Sequence, residues 1–253
     1  MKNLNQVSQD EHNLILYAQQ EYGIDYDSAQ EIALLYGKFI KSVSADHFVF
    51  LSFLSQFNKF LILSILSAVR RHQVQAMLGL RQCIETGMMA AYAITVVNPK
   101  NFAIKKADGT LQCVEKSKDK CFKWIEQKYP QHSKALYGTK TKYINGVFAH
   151  ANFISTQANF QADQRKFHIV FWDETDLTMV KSSLWIIANA ALCILDIIYN
   201  ESKSNSKIKV DPDFKDVYAR LKKTNDALRD ELKKHPRFSK WDIKNPAVLK
   251  GLS

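Results

Sequence analysis

Apolar residues recur at helical spacing along most of this chain, and the pattern predicts a succession of helices separated by short polar breaks. Ser8 and Glu11 have capping-box spacing and predict a first helix ending near Gly23. Asp27 and Gln30 repeat the device for a second, through about Lys41, so residues 1–44 read as a helical hairpin. The longest helical material follows from about Ala45 to Val97, broken or bent near Arg70, Arg71 and His72 and stopped by Asn98-Pro99. Phe102–Lys105 and Thr110–Val114 flank Asp108-Gly109, which fits either a small β-hairpin or an irregular excursion. A short helix over Asp119–Tyr129 ends at Pro130. The next, roughly Ser133–Ile154, carries an apolar stripe of Leu136, Ile144, Val147, Phe148, Ala151 and Ile154. Phe167–Trp172 reads as extended, and Thr175 or Asp176 caps a hydrophobic helix through Tyr199. ESKSNSKIK has the composition of a linker. Beyond it, Asp211-Pro212 opens an amphipathic helix that places Phe214, Val217, Leu221, Leu228 and Leu232 on one face and ends at Pro236. Phe238 and Trp241 are expected to dock the tail on the body.

The expected architecture is an all-α antiparallel bundle over residues 45–200, preceded by the hairpin of residues 1–44. A linker and basic C-terminal helix, residues 201–253, pack on it. Only eight glycines and five prolines are present, which favours long helices over a sandwich of many short strands. Phe48–Val69 approaches the length of a membrane span, but Gln56, Asn58 and Lys59 at its middle favour a core helix, so no membrane segment is expected.

The segment Val74–Val97 departs from simple amphipathicity. On a wheel of roughly 100° per residue, Met77, Leu80, Ile84, Met88 and Ala91 form an apolar arc opposite Gln75, Gly79, Gln82 and Thr86. Arg81 falls inside that arc and Glu85 at its shoulder. An unpaired ion buried there costs several kcal/mol, so the two must be paired or line a cleft. One reading is a structural ion pair. The other is a guanidinium that holds a phosphate or carboxylate.

A formal charge of +10 adds a second theme, because 14 Lys and Arg stand against 8 Asp and Glu from residue 201 onward. Polyanions suit such a balance. Arg70 and Arg71 make one candidate nucleic-acid cluster; Lys222, Lys223, Lys233, Lys234 and Arg237 make another, with Phe238 and Trp241 nearby. The four cysteines lack CxxC spacing and read as free thiols of a reducing cytoplasm, in keeping with an N-terminus that has no signal-peptide character. No HxH, HExxH, phosphate-binding glycine loop or nucleophile elbow occurs, so no metal and no cofactor is implied. His150 has the most suggestive setting of the histidines, in a row with Tyr143 and Gly146 where the glycine leaves space between two rings.

The pieces LGLRQCIETGMMAAYAI and KYINGVFAHANF, on separate helices in that order, resemble uncharacterised bacterial branches of the HEPN superfamily (higher-eukaryote and prokaryote nucleotide-binding). The resemblance covers about residues 45–200. It rests on Arg81-x-x-x-Glu85 and on Tyr143 followed by His150. It implies an antiparallel, often dimeric bundle, and for many members metal-independent ribonuclease activity in toxin or antiviral systems. The family's catalytic motif is Arg followed after four to six residues by His. Only His150 carries over, because Tyr143, Ile144 and Asn145 stand where the arginine should be. The expected site is one in which Arg81 supplies the missing cation across the bundle, beside His150, Glu85 and Tyr143. The contrasting reading is a non-catalytic helical interaction protein whose C-terminal helix docks a protein partner or a second copy. A small-molecule binder using Arg81 for an anionic group is a third.

Overall fold

The computed structural model describes residues 3–148, 160–163, 166–169, 171–173 and 176–238. Among these residues the chain is all-α, with ten helices and three two-stranded antiparallel ladders. The first three helices are α1 (Leu4–Leu16), α2 (Ala18–Tyr22) and α3 (Ile24–Tyr36). Asn3, rather than Ser8, caps α1. Its side chain accepts from Gln6 N while the Gln6 side chain accepts from Asn3 N, which closes a capping box five residues earlier than the Ser8 and Glu11 pattern suggests. Gly23, at φ 54°, separates α2 from α3 in a backbone conformation that side chains disfavour, and so displaces Asp27 as the start of that helix.

After α3 the chain is extended over β1 (Ile40–Val43), then forms α4 (Phe48–Val69) and α5 (Gln73–Thr95). These long helices run antiparallel across the break at residues 70–72. Asp108-Gly109 does turn a hairpin, pairing β2 (Ala103–Lys105) with β3 (Leu111–Cys113). Next come α6 (Lys116–Lys128) and α7 (Pro130–Gly138), a π-helical segment Thr139–Ile144, and α8 (Asn145–Val147). The expected stripe residues Ala151 and Ile154 lie outside the described residues. β4 (Phe160–Asp163) pairs with β5 (Lys166–Ile169) before α9 (Leu177–Ser202), which Asp176 caps through Thr178 N. β6 (Ile208–Val210) and α10 (Phe214–Lys234) complete the described chain.

Hydropathy alone does not separate α4 from α9. Both contain windows of mean hydropathy 1.7 and are long and apolar enough to cross a membrane, yet 83% of the α9 window is buried against 39% of the α4 window. α9 is the central core helix. α4 buries Phe50, Leu54, Phe57, Leu61 and Ile65 and leaves Leu51, Ile62 and Leu63 on an exposed face. Helix α5 is also less amphipathic than its wheel predicts. Cys83 through Ala91 are all buried, Thr86 and Gly87 included, because the segment is enclosed by α4, α6 and α9.

The linker composition of residues 201–209 conceals a strand. β6 pairs with β1 through Ile40 and Val210, Ser42 and Lys209, and Val43 and Ile208. Phe39 is fully buried against Phe214, and Tyr36 donates a 2.7 Å hydrogen bond to the Ala191 carbonyl. Residues between Ile15 and Val43 and the C-terminal helix therefore share one core with the bundle. Along α10, Phe214 and Leu221 are buried and Val217, Leu228 and Leu232 pack against them, as the periodicity predicts.

Candidate functional site

Glu85 projects from the buried middle of α5, its side chain 10% exposed, and three cations converge on it. Lys118 from α6 donates to Oε2 at 2.7 Å, Lys140 from the π-helical segment approaches Oε1 at 2.9 Å, and Arg81 Nε lies 3.5 Å from Oε1. The last is an ion pair without hydrogen-bond geometry, since the buried Nε of Arg81 has no hydrogen-bond partner. One carboxylate thus neutralises one of three positive charges. The pairing of Arg81 with Glu85 read from the sequence is present, but it is the weakest of the three contacts.

Burial desolvates Glu85 and alone would raise its pKa; the hydrogen bonds from Lys118 and Lys140 outweigh that cost and hold the carboxyl below its ordinary value. Lys140 is itself well enclosed, 12% exposed, with its ammonium 4.4 Å from the Phe122 ring centroid. The segment that presents Lys140 is π-helical. Such turns insert a residue into the helical path and concentrate at functional sites. The same segment carries Tyr143, which is buried and meets Phe148 edge to face at 5.4 Å between ring centroids. His150 lies outside the described residues.

Neither Lys118 nor Lys140 stands out in the sequence. Both occur in lysine-rich stretches that read as solvated faces, although Lys140, three residues before Tyr143, lies on the same helical edge.

The expected nucleic-acid clusters are largely engaged inside the fold. Arg70 lies 3.5 Å from Glu11, and Arg71 donates to Glu21 at 2.9 Å. On the C-terminal helix, Lys222 pairs with Asp226, Lys234 with Glu231 and Arg237 with Asp176, whereas Lys223 points outward without a pair among the described residues. Trp241 lies outside the described residues, and Phe238 is buried as expected of a docked tail.

A second buried carboxylate, Glu201 at the end of α9, is 2% exposed and accepts from Lys128 and from the Tyr129 hydroxyl. It lines a cleft of about 430 Å³ with His47, Asn205 and Lys207. Burial, and then the hydrogen bond to Glu201, raise the Tyr129 pKa and keep its proton in place. All four cysteines are free. Burial pushes the Cys121 and Cys193 thiols up to about 12, which leaves them inert. Neither a family model, nor a curated protein, nor a solved structure matches this chain.

Proposed function

We propose that this chain is a HEPN-like protein that binds the phosphate groups of RNA or of a nucleotide at Arg81, Lys118 and Lys140. The observation carrying this reading is the charge imbalance around Glu85: three cations share one carboxylate in a partly desolvated setting. Guanidinium and ammonium groups held this way favour a second anion, and low local dielectric strengthens the attraction. With RNA bound, His150 removes the ribose 2′-hydroxyl proton and O2′ attacks the adjacent phosphorus. The 5′-oxygen then leaves with a proton from solvent, while Arg81 stabilises the charge on the phosphorane. The resemblance to toxin and antiviral ribonucleases gives such a reaction its biological setting.

Labelled RNA incubated with wild type, Arg81→Ala, Lys140→Ala and His150→Ala tests both levels. Weaker binding by the first two variants, with cleavage lost in the third, is expected. Equal binding by wild type and by the two cation variants removes the phosphate site, and intact RNA throughout removes the ribonuclease step.

The same geometry favours one other reading, because Glu85 ties α5, α6 and the π-helical segment together. In that reading the chain is a non-catalytic interaction protein and the cage is an internal clamp. Glu85→Gln separates the two. At a phosphate site it removes the competing anion, so pyrophosphate should raise the Tm of the variant more than that of wild type. A clamp predicts a lower Tm that pyrophosphate leaves where it is.

A further inference from the structure

Helix α4 ends in a Schellman motif with an arginine in the place of the usual glycine. Arg71 N donates to the Ala68 carbonyl and His72 N to the Ser67 carbonyl, each at 2.9 Å, and Arg71 itself sits at φ 64°. For a residue with a Cβ this left-handed conformation costs about 1–2 kcal/mol. The turn is nonetheless held from every side. Asp173 N donates to the Arg71 carbonyl at 3.0 Å, and the Asp173 carboxylate accepts from Val74 N at 3.0 Å in the first turn of α5. The Arg71 guanidinium donates to Glu21 at 2.9 Å and meets the Tyr22 hydroxyl at 3.4 Å, through Nη2 and Nε. Nη1 is not spent on any bond within the described residues.

Strain of this kind, over-determined by its surroundings, gathers at ligand clamps. Here it delivers the guanidinium into a cleft of about 320 Å³ lined by Asp10, Asn13, Tyr17, Glu21 and Trp172. That volume lies at the lower end of the range for small-molecule sites. Tyr17, at the break between α1 and α2, is 56% exposed and offers an open ring. Trp172 is braced from behind by His72, with ring centroids 5.3 Å apart, and by Phe171 at 4.8 Å; His72 is anchored in turn to Glu11 at 2.7 Å. The cleft therefore combines aromatic rings, two carboxylates that only accept hydrogen bonds, and one cation that only donates.

We propose that the Arg71 cleft is a site for a guanine base, presented by a free nucleotide or by a single strand. Guanine has an edge with two donors, N1–H and the N2 amino group, next to one acceptor, O6. Carboxylate acceptors beside a guanidinium match that order. Adenine, with a single amino donor and no carbonyl, does not. Unpaired bases are recognised by stacking on aromatic side chains combined with hydrogen bonds to their edges, which is the combination present here. The site is separate from the Glu85 cage, so its occupancy does not depend on Arg81.

The test is a titration of the full chain with GMP, AMP and single-stranded oligoribonucleotides with and without one guanine, following tryptophan fluorescence. Trp172→Phe identifies the reporting ring. Saturable binding of GMP or of the guanine-containing strand is expected, with the adenine counterpart about tenfold weaker or more. Arg71→Gly and Asp10→Asn should each weaken guanine binding by about tenfold. Arg71→Gly keeps the turn, because glycine adopts this conformation without strain, and a retained cooperative melt verifies the fold. Guanosine, which has no phosphate, should quench or enhance the Trp172 fluorescence as GMP does, which separates this site from the phosphate cage. Binding of GMP alone assigns a free nucleotide, and binding of the strand alone assigns RNA. No saturable guanine binding at millimolar concentration overturns the proposal; so does equal affinity for GMP and AMP, and so does wild-type affinity in Arg71→Gly.

Discussion

Glu85 concentrates the energetics of its neighbourhood in one ionisation. Its folded-state pKa lies below the ordinary value of 4.5, so ionised Glu85 adds stability that is fully present above that pH and disappears as pH falls through the lower, folded value. Glu85→Gln should therefore destabilise the protein at neutral pH by roughly 2 kcal/mol, less than a fully buried pair because Lys118 is largely exposed. Urea midpoints of wild type and variant should converge in acid below the ordinary carboxylate range; a gap independent of pH sinks this account. Arg81 and Glu85 were legible in the sequence as charges inside an apolar helix. Lys118 and Lys140 were not, since a lysine among lysines carries no periodic signal of the carboxylate it meets.

Among the elements, the contact of α5 with its neighbours sets the tightest tolerance. A Cβ on Gly87 would lie 2.7 Å from both Cδ1 and Cγ2 of Ile194 and 2.7 Å from Cδ2 of Phe57, so α9 and α4 would both have to give way. Overpacking of this kind costs about 1–3 kcal/mol, and alanine returns up to about 1 kcal/mol of helix propensity. Gly87→Ala should lower the urea midpoint by a net destabilisation on the order of 1 kcal/mol. Gly138→Ala, with nothing within 4 Å of the added carbon, should hold or raise it. If Gly87→Ala proves the more stable of the two, the packing of α5 against α9 is misjudged. The polar cluster at residues 70–72 marked a break or bend, which the structure resolves as a break, and the hydrophobic pattern revealed the amphipathic face of α10. That pattern also predicted an opposite, polar side of α5, where Gln75 and Gln82 are indeed exposed and enclosure by the neighbouring helices buries only Thr86.

At the scale of the whole molecule, the N-terminal helices, the bundle and the C-terminal helix contribute to one hydrophobic core. The β1–β6 ladder joins residues 40–43 to residues 208–210, and Phe39 against Phe214 extends that junction into the core. Urea unfolding followed by far-UV circular dichroism and by tryptophan fluorescence should give coincident single transitions. A separate early transition from the N-terminal hairpin or the C-terminal helix contradicts the shared core. Ion pairing does not lower the net charge of +10, in which Glu11, Glu21, Glu85 and Asp226 are already counted; it decides only which arginines and lysines stay available to a polyanion.

What the sequence determined by itself is local. Helical spacing, proline stops and the Asp108-Gly109 turn act between residues a few positions apart, and such relations are written directly in their order. Tertiary structure alone decided which side of α4 stays exposed, that Ser- and Lys-rich residues 201–210 end in a strand, that Arg71 takes a glycine's backbone, and which cations surround Glu85. Those outcomes join residues far apart in the chain, such as Glu85 with Lys118, 33 positions on, and Tyr36 with Ala191, 155 positions on. Side-chain chemistry makes each contact favourable once formed, but only the packing of helices brings the partners within reach.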